Sequence, residues 1–105
     1  MRRVALFTLL FALAACDSTV APPDAAVLIS GDAETTLDAS VTYVEIEGGA
    51  WVLRDATGQL YEPTNLPADY RVEGLAVRAE VDVLEGYASV LQVGPIVQIR
   101  RIAPR

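Results

Sequence analysis

A chain of 105 residues has room for one small domain. It carries 14 acidic residues against 8 basic ones, all Arg, for a net charge of −6, and it contains no His, no Lys and a single Cys. These numbers exclude an intrachain disulfide, a His-dependent nucleophile and a Lys Schiff base, and an acidic surface repels nucleic acid.

The first elements form an export signal. Met1-Arg2-Arg3 is a short positive segment, and Val4 to Leu13 is apolar apart from Thr8. Leu13-Ala14-Ala15-Cys16 follows at once, which is the grammar of a secretory signal peptide. A transmembrane helix needs about 20 apolar residues, more than Val4 to Ala15 supplies. An ordinary secretory signal would leave Cys16 at the cleavage position as a coincidence. The last four residues resemble the bacterial lipobox. That resemblance implies recognition of Leu13, Ala14 and Ala15 by the signal peptidase, lipidation of Cys16, and Cys16 as the new N-terminus. Several acyl chains would then hold the protein, since one chain binds a bilayer only marginally. Losing Arg2 and Arg3 leaves six Arg against 14 acids, a balance of −8. The lipobox resemblance gives Asp17 a meaning too, since an Asp after the anchor retains lipoproteins in the inner membrane of some enteric bacteria but not across all bacteria, and the choice of inner or outer membrane stays open.

Residues 16–40 read as the lipidated Cys and a flexible acidic tether. Asp17 to Ser40 contains no basic residue, is rich in Ala, Ser and Thr, and includes Pro22-Pro23. Ala26 to Ser30 is the exception, apolar enough for a short strand.

From Val41 the periodicity is two. Thr42, Val44 and Ile46 would share one face, with Tyr43, Glu45 and Glu47 on the other. Gly48-Gly49 marks a turn or bulge. Trp51 and Leu53 alternate with Val52 and Arg54, and Asp55-Ala56-Thr57-Gly58 is a hairpin loop. Gln59 to Glu62 returns as a strand closed by Pro63. Pro67 opens one helical turn. Leu75, Val77, Ala79, Val81 and Val83 then share a strand face. Ala88 to Val93 continues as strand, and Ile96 to Ile102 resumes it after Gly94-Pro95, with a bulge at Arg100-Arg101 returning Ile102 to the core. The expected fold over residues 41–105 is mainly β: a small five-stranded barrel of OB type with one short helical turn.

The pattern Glu47-Gly48-Gly49-x-Trp51-x-Leu53, Gly58-x-x-Tyr61-x-Pro63-x-Asn65-Leu66-Pro67, Gly74-Leu75-x-Val77, Ala88-Ser89 and Val93-Gly94-x-x-Val97 resembles a largely uncharacterised family of small bacterial lipoproteins and secreted proteins. The resemblance covers nearly the whole domain and implies an OB-like barrel with no known activity. Relatives often carry a Cys before the Trp and another after the Ala-Ser pair. Ala50 and Leu91 stand there, which implies that these two are neighbours in space.

Catalytic material is poor. Ser18, Ser30, Ser40 and Ser89 have no His to activate them, and Cys16 is consumed by the anchor. Glu45 with Glu47, and Glu80 with Asp82, are spaced for a solvated strand face rather than a carboxylate pair. Asp32, Glu34 and Asp38 lack calcium-loop spacing. No cofactor, metal site or nucleic-acid partner is expected, and the chain is not expected to be an enzyme. Trp51 reads as core. The candidate binding surface is Tyr43, Arg54 and Arg78, where exposed aromatic and guanidinium groups would hold an envelope protein or a glycan. The expectation is therefore a non-enzymatic binding or adaptor module of the cell envelope, tied to inner or outer membrane by lipid on Cys16, with its domain outside the cytoplasm. The alternative is a structural envelope lipoprotein without a discrete ligand site.

Overall fold

The computed structural model describes residues 21–89 and 91–105. Leu13, Ala14, Ala15 and Cys16 lie outside the described residues. Six strands follow in order: β1 (Ala26–Val27), β2 (Thr35–Val44), β3 (Ala50–Asp55), β4 (Leu60–Pro63), β5 (Ala76–Leu84) and β6 (Ile96–Pro104). A 3-10 turn, Ala68–Tyr70, lies between β4 and β5, with Pro67 at its N-cap.

Around the sheet the order is β1-β6-β4-β3-β2-β5, and β5 also pairs with β6. Strands β2, β3, β4, β6 and β5 therefore close a five-stranded barrel, with β4 and β6 parallel and the other pairs antiparallel. Closure removes the exposed edges that a flat sheet of this size would leave. The expected OB-like barrel is the fold. Strand β1 stands outside the ring, pairing Ala26 with Ile102 and Val27 with Arg101 along the part of β6 that β4 does not reach.

The core is built by alternation. Val77, Ala79 and Val81 of β5 are buried, as are Val97, Ile99 and Ile102 of β6, Leu37, Ala39 and Val41 of β2, and Leu53 of β3. Burying each Val, Leu or Ile of this set contributes about 1.5–3 kcal/mol. Leu66 and Tyr70 join the cluster from the segment around the 3-10 turn. The bulge expected near Arg100 is present: Val81 pairs with Ile99 and Glu80 with Arg101, so the Arg100 backbone has no register partner on β5. The extra residue shifts the inward phase from Val97 and Ile99 to Ile102.

Three expectations are corrected. The tether does not run to Ser40, because Thr35–Ser40 pairs residue by residue with Val81–Ala76. Its polar letters alternate outward, where Asp38 meets Arg78 across the strand pair. Consequently β2 turns Leu37, Ala39 and Val41 inward, and its phase is opposite to the one in which Thr42, Val44 and Ile46 face the core. Ala88 to Val93 is not strand among its described residues; Ile96 begins β6.

Candidate functional site

Tyr43 and Trp51 are directly opposed across β2 and β3, two positions beyond the buried pair Val41 and Leu53. They therefore share the inward parity and sit where the barrel opens. Their rings meet edge to face with centroids 5.1 Å apart. Tyr43 was expected on the outward face; it is exposed because it stands at the mouth, not because it points away from the core. Trp51, expected in the core, is half-buried and packs against it.

The turn that follows β2 makes room for this pair. Glu47, Gly48 and Gly49 all have positive φ, and the Gly49 N–H donates to the Ile46 carbonyl at 2.9 Å. A Cβ on Gly49 would fall 1.7 Å from the Tyr43 hydroxyl oxygen. The tyrosine ring thus lies directly over the glycine, and only a residue without a side chain permits it.

Beside Trp51 opens a groove of about 290 Å³, lined by Gly49, Ala50 and Trp51 on one side and by Glu62, Pro63, Leu66, Arg71 and Leu91 on the other. Ala50 and Leu91 thus border the same groove. Its volume is at the lower bound for a ligand pocket and suits one side chain or one sugar ring. The wall residues bring three chemistries together. Trp51 offers an aromatic surface, Pro63 and Leu66 offer apolar contact, and Glu62 and Arg71 offer charges of opposite sign. Arg71 is positioned by the 3-10 turn, its guanidinium donating to the Leu66 carbonyl at 3.3 Å and its backbone N–H to Ala68.

The loop after β5 reaches this groove by running back along β4. The Glu62 N–H donates to the Pro95 carbonyl at 2.8 Å. The Ser89 hydroxyl donates to the Glu62 carboxylate and accepts the N–H groups of Leu91 and Gln92. Ser89 therefore organises the loop, with its hydroxyl already committed, rather than standing free as a nucleophile.

The three residues expected as a binding surface are not together. Arg54 opposes Ser40 on the outer parity. Arg78 also faces outward and is spent on Asp38, with Nε–Oδ1 at 2.7 Å. Asp38 lies five positions from Tyr43 along β2, about 17 Å at the rise of an extended strand. Of the three, only Tyr43 stands next to the groove, packed on Trp51 without lining the groove itself. Arg71, which does line the groove, was missed because it lies in an aperiodic segment whose path only the tertiary fold defines.

The carboxylates are held by other partners. Glu80 pairs with Arg101, and Asp82 with Arg100, each at 2.7 Å. Asp82 is held below its ordinary pKa first by the Glu34 N–H and then by Arg100. Glu73 is likewise held low, by the Tyr43 N–H at 2.9 Å and the Thr42 hydroxyl at 2.8 Å. Glu45 and Glu47 lie past the end of β2, in the turn. Among the described residues no group of three or more acidic, Cys or His side chains is placed to hold a metal ion, and no helix is long and apolar enough to cross a membrane. No protein-family model, no curated protein and no solved structure matches the chain.

Proposed function

We propose that this chain is a lipid-anchored bacterial envelope lipoprotein whose barrel is a non-enzymatic binding module, tied through Cys16 to inner or outer membrane with its domain outside the cytoplasm. The Leu13-Ala14-Ala15-Cys16 motif and the likeness to small bacterial lipoproteins support the anchor. The observation that carries the binding role is the Trp51 groove. It lies against β3 and β4 between the turn after β2 and the loop after β5, where OB barrels take their ligands. Trp51 is fixed there by Tyr43, with Glu62 and Arg71 available for polar contacts. An aromatic surface with both charge signs fits a peptide segment of an envelope protein or a glycan.

The alternative, a structural lipoprotein without a ligand site, draws on the barrel wall, where Arg78, Arg100 and Arg101 are all consumed in ion pairs. A photocrosslinker placed at Thr64, on the groove rim, separates the two in intact membranes. The binding module gives a discrete crosslinked species that disappears with Trp51→Ala and with the unanchored Cys16→Ala. Absence of any discrete species, or a species indifferent to Trp51→Ala, favours the structural role.

A further inference from the structure

Strand direction determines which end of the barrel faces the anchor. β2, β4 and β6 run the same way, so the turn at 45–49, the segment at 64–75 and Arg105 all lie at the end where those strands finish. β1 is antiparallel to β6, so the chain enters at that same end. Asp24 is pinned there, its carbonyl accepting the Tyr70 hydroxyl at 2.7 Å. Seven residues separate Cys16 from Asp24, a distance that cannot exceed about 30 Å even fully extended.

The entry end also exposes three large apolar side chains, Tyr43, Ile46 and Val72, each 42% exposed, while Val27 and Leu28 are exposed on and just after β1. The first three are neighbours: the Tyr43 N–H bonds Glu73, next to Val72, and the Tyr43 ring covers Gly49, which closes the turn on Ile46. At the opposite end the 85–95 loop exposes Tyr87.

We propose that the entry end is a bilayer-contacting surface, on which Ile46, Val72 and Tyr43 rest in the interfacial layer of the membrane that holds the lipid anchor. This rests on the reading of Cys16 as lipidated. A short leash keeps this end at high effective concentration beside the bilayer, so a weak contact is enough. Tyr suits the interface because its ring is apolar and its hydroxyl stays wet. The exposed acids at this end, Asp24, Glu45, Glu47, Asp69 and Glu73, outnumber Arg71 and Arg105, so the surface matched is zwitterionic rather than anionic. The Trp51 groove, bordered by Gly49, Leu66 and Arg71, then opens beside the headgroups and takes a ligand presented at the membrane.

The test uses the full lipidated chain on phosphatidylcholine vesicles, with an environment-sensitive dye on Ile46→Cys or on Tyr87→Cys. Flotation with the vesicles and incorporation of palmitate check the anchor first. The expected result is a blue shift and quenching by chain-brominated lipid for the dye at position 46 and neither at position 87. Val72→Asp should abolish the response at 46 while flotation persists. Phosphatidylglycerol should reduce it, and added salt should restore it. Flotation with no response at 46, or an equal response at 87, overturns the bilayer contact and leaves the lipoprotein reading intact. Failure of the chain to take palmitate and float overturns both.

Discussion

The Asn65 carboxamide takes both backbone groups of Ile99: its Nδ2 donates to the Ile99 carbonyl at 2.9 Å, and its Oδ1 accepts the Ile99 N–H at 2.8 Å. Strand β4 ends at Pro63, and the Thr64 N–H still reaches Val97 at 2.9 Å. Asn65 then extends the β4–β6 ladder by one step with a side chain in place of backbone.

Asn65→Ala leaves a donor and an acceptor on Ile99 without protein partners at the seam where the barrel closes. Each unsatisfied group costs about 1–3 kcal/mol. Urea denaturation should therefore show a loss of at least that size. Asn65→Asp should recover little of it, because a carboxylate accepts but cannot donate.

Tyr70→Phe removes the hydroxyl that ties Asp24 to the core, with the Ile102 carbonyl 3.2 Å away. Stability should fall by about 1–3 kcal/mol. Hydrogen exchange should rise first at the Leu28 and Ile29 amides, which bond Arg100. Burial pushes the Tyr70 hydroxyl above its ordinary 10.0. Its contribution is present below pH 10 and lost as pH rises through the higher folded value, because the unfolded chain ionises first. The Phe variant should lack that alkaline component.

Gly49→Ala places a methyl in the position of the Tyr43 hydroxyl and a Cβ on a residue at φ +97°. The backbone cost is about 1–2 kcal/mol. The diagnostic readout is the lone tryptophan: displacing Tyr43 should shift Trp51 emission and flatten the near-ultraviolet circular dichroism. Gly58→Ala, at φ +90° with open space around the site, should cost stability without moving Trp51 emission.

Acid should unfold the barrel through its hydrogen-bonded carboxylates. Glu73 is held below its ordinary 4.5 by the Tyr43 N–H and the Thr42 hydroxyl, and Asp55 below 3.8 by the Thr57 hydroxyl foremost. A carboxylate with a lowered folded pKa contributes stability that is complete above its unfolded value and lost as pH falls through the folded one. Denaturation midpoints should hold from neutral pH to just above 4.5 and decline below it. Glu73→Gln should make that decline shallower.

Strand β5 was legible residue by residue, because Val77, Ala79 and Val81 alternate strictly with Arg78, Glu80 and Asp82. The bulge at Arg100 was legible from the adjacent arginines that break the same rhythm. Thr35–Ser40 was not, since its run of Thr, Asp and Ser matches tether composition, and only pairing with β5 turns Leu37 and Ala39 into core. Ala88 to Val93 failed the other way: among its described residues the apolar letters serve a loop pressed along β4, where a Cβ on Gly94 would lie 1.9 Å from the Leu60 carbonyl. Of the groove, Trp51 and the glycine turn stood out in the sequence. Arg71 and Glu62 did not, because nothing local to either residue says that they border the same space.

The position of β6 in the barrel also dictates how the molecule is assembled. It is the last strand in chain order, yet it is hydrogen-bonded to β1, β4 and β5. Before Ile96 to Pro104 is delivered, β2 to β5 can pair only as an open sheet edged by β4 and β5, and β1 has no partner at all. Contacts spanning nearly the whole chain must form in the final step, which makes closure slow relative to a protein of local contacts. A nascent chain is therefore held in an unlocked state, with unsatisfied strand edges open to proteases and to pairing with other chains. Completion of the C-terminal strand is the event that ends that exposure.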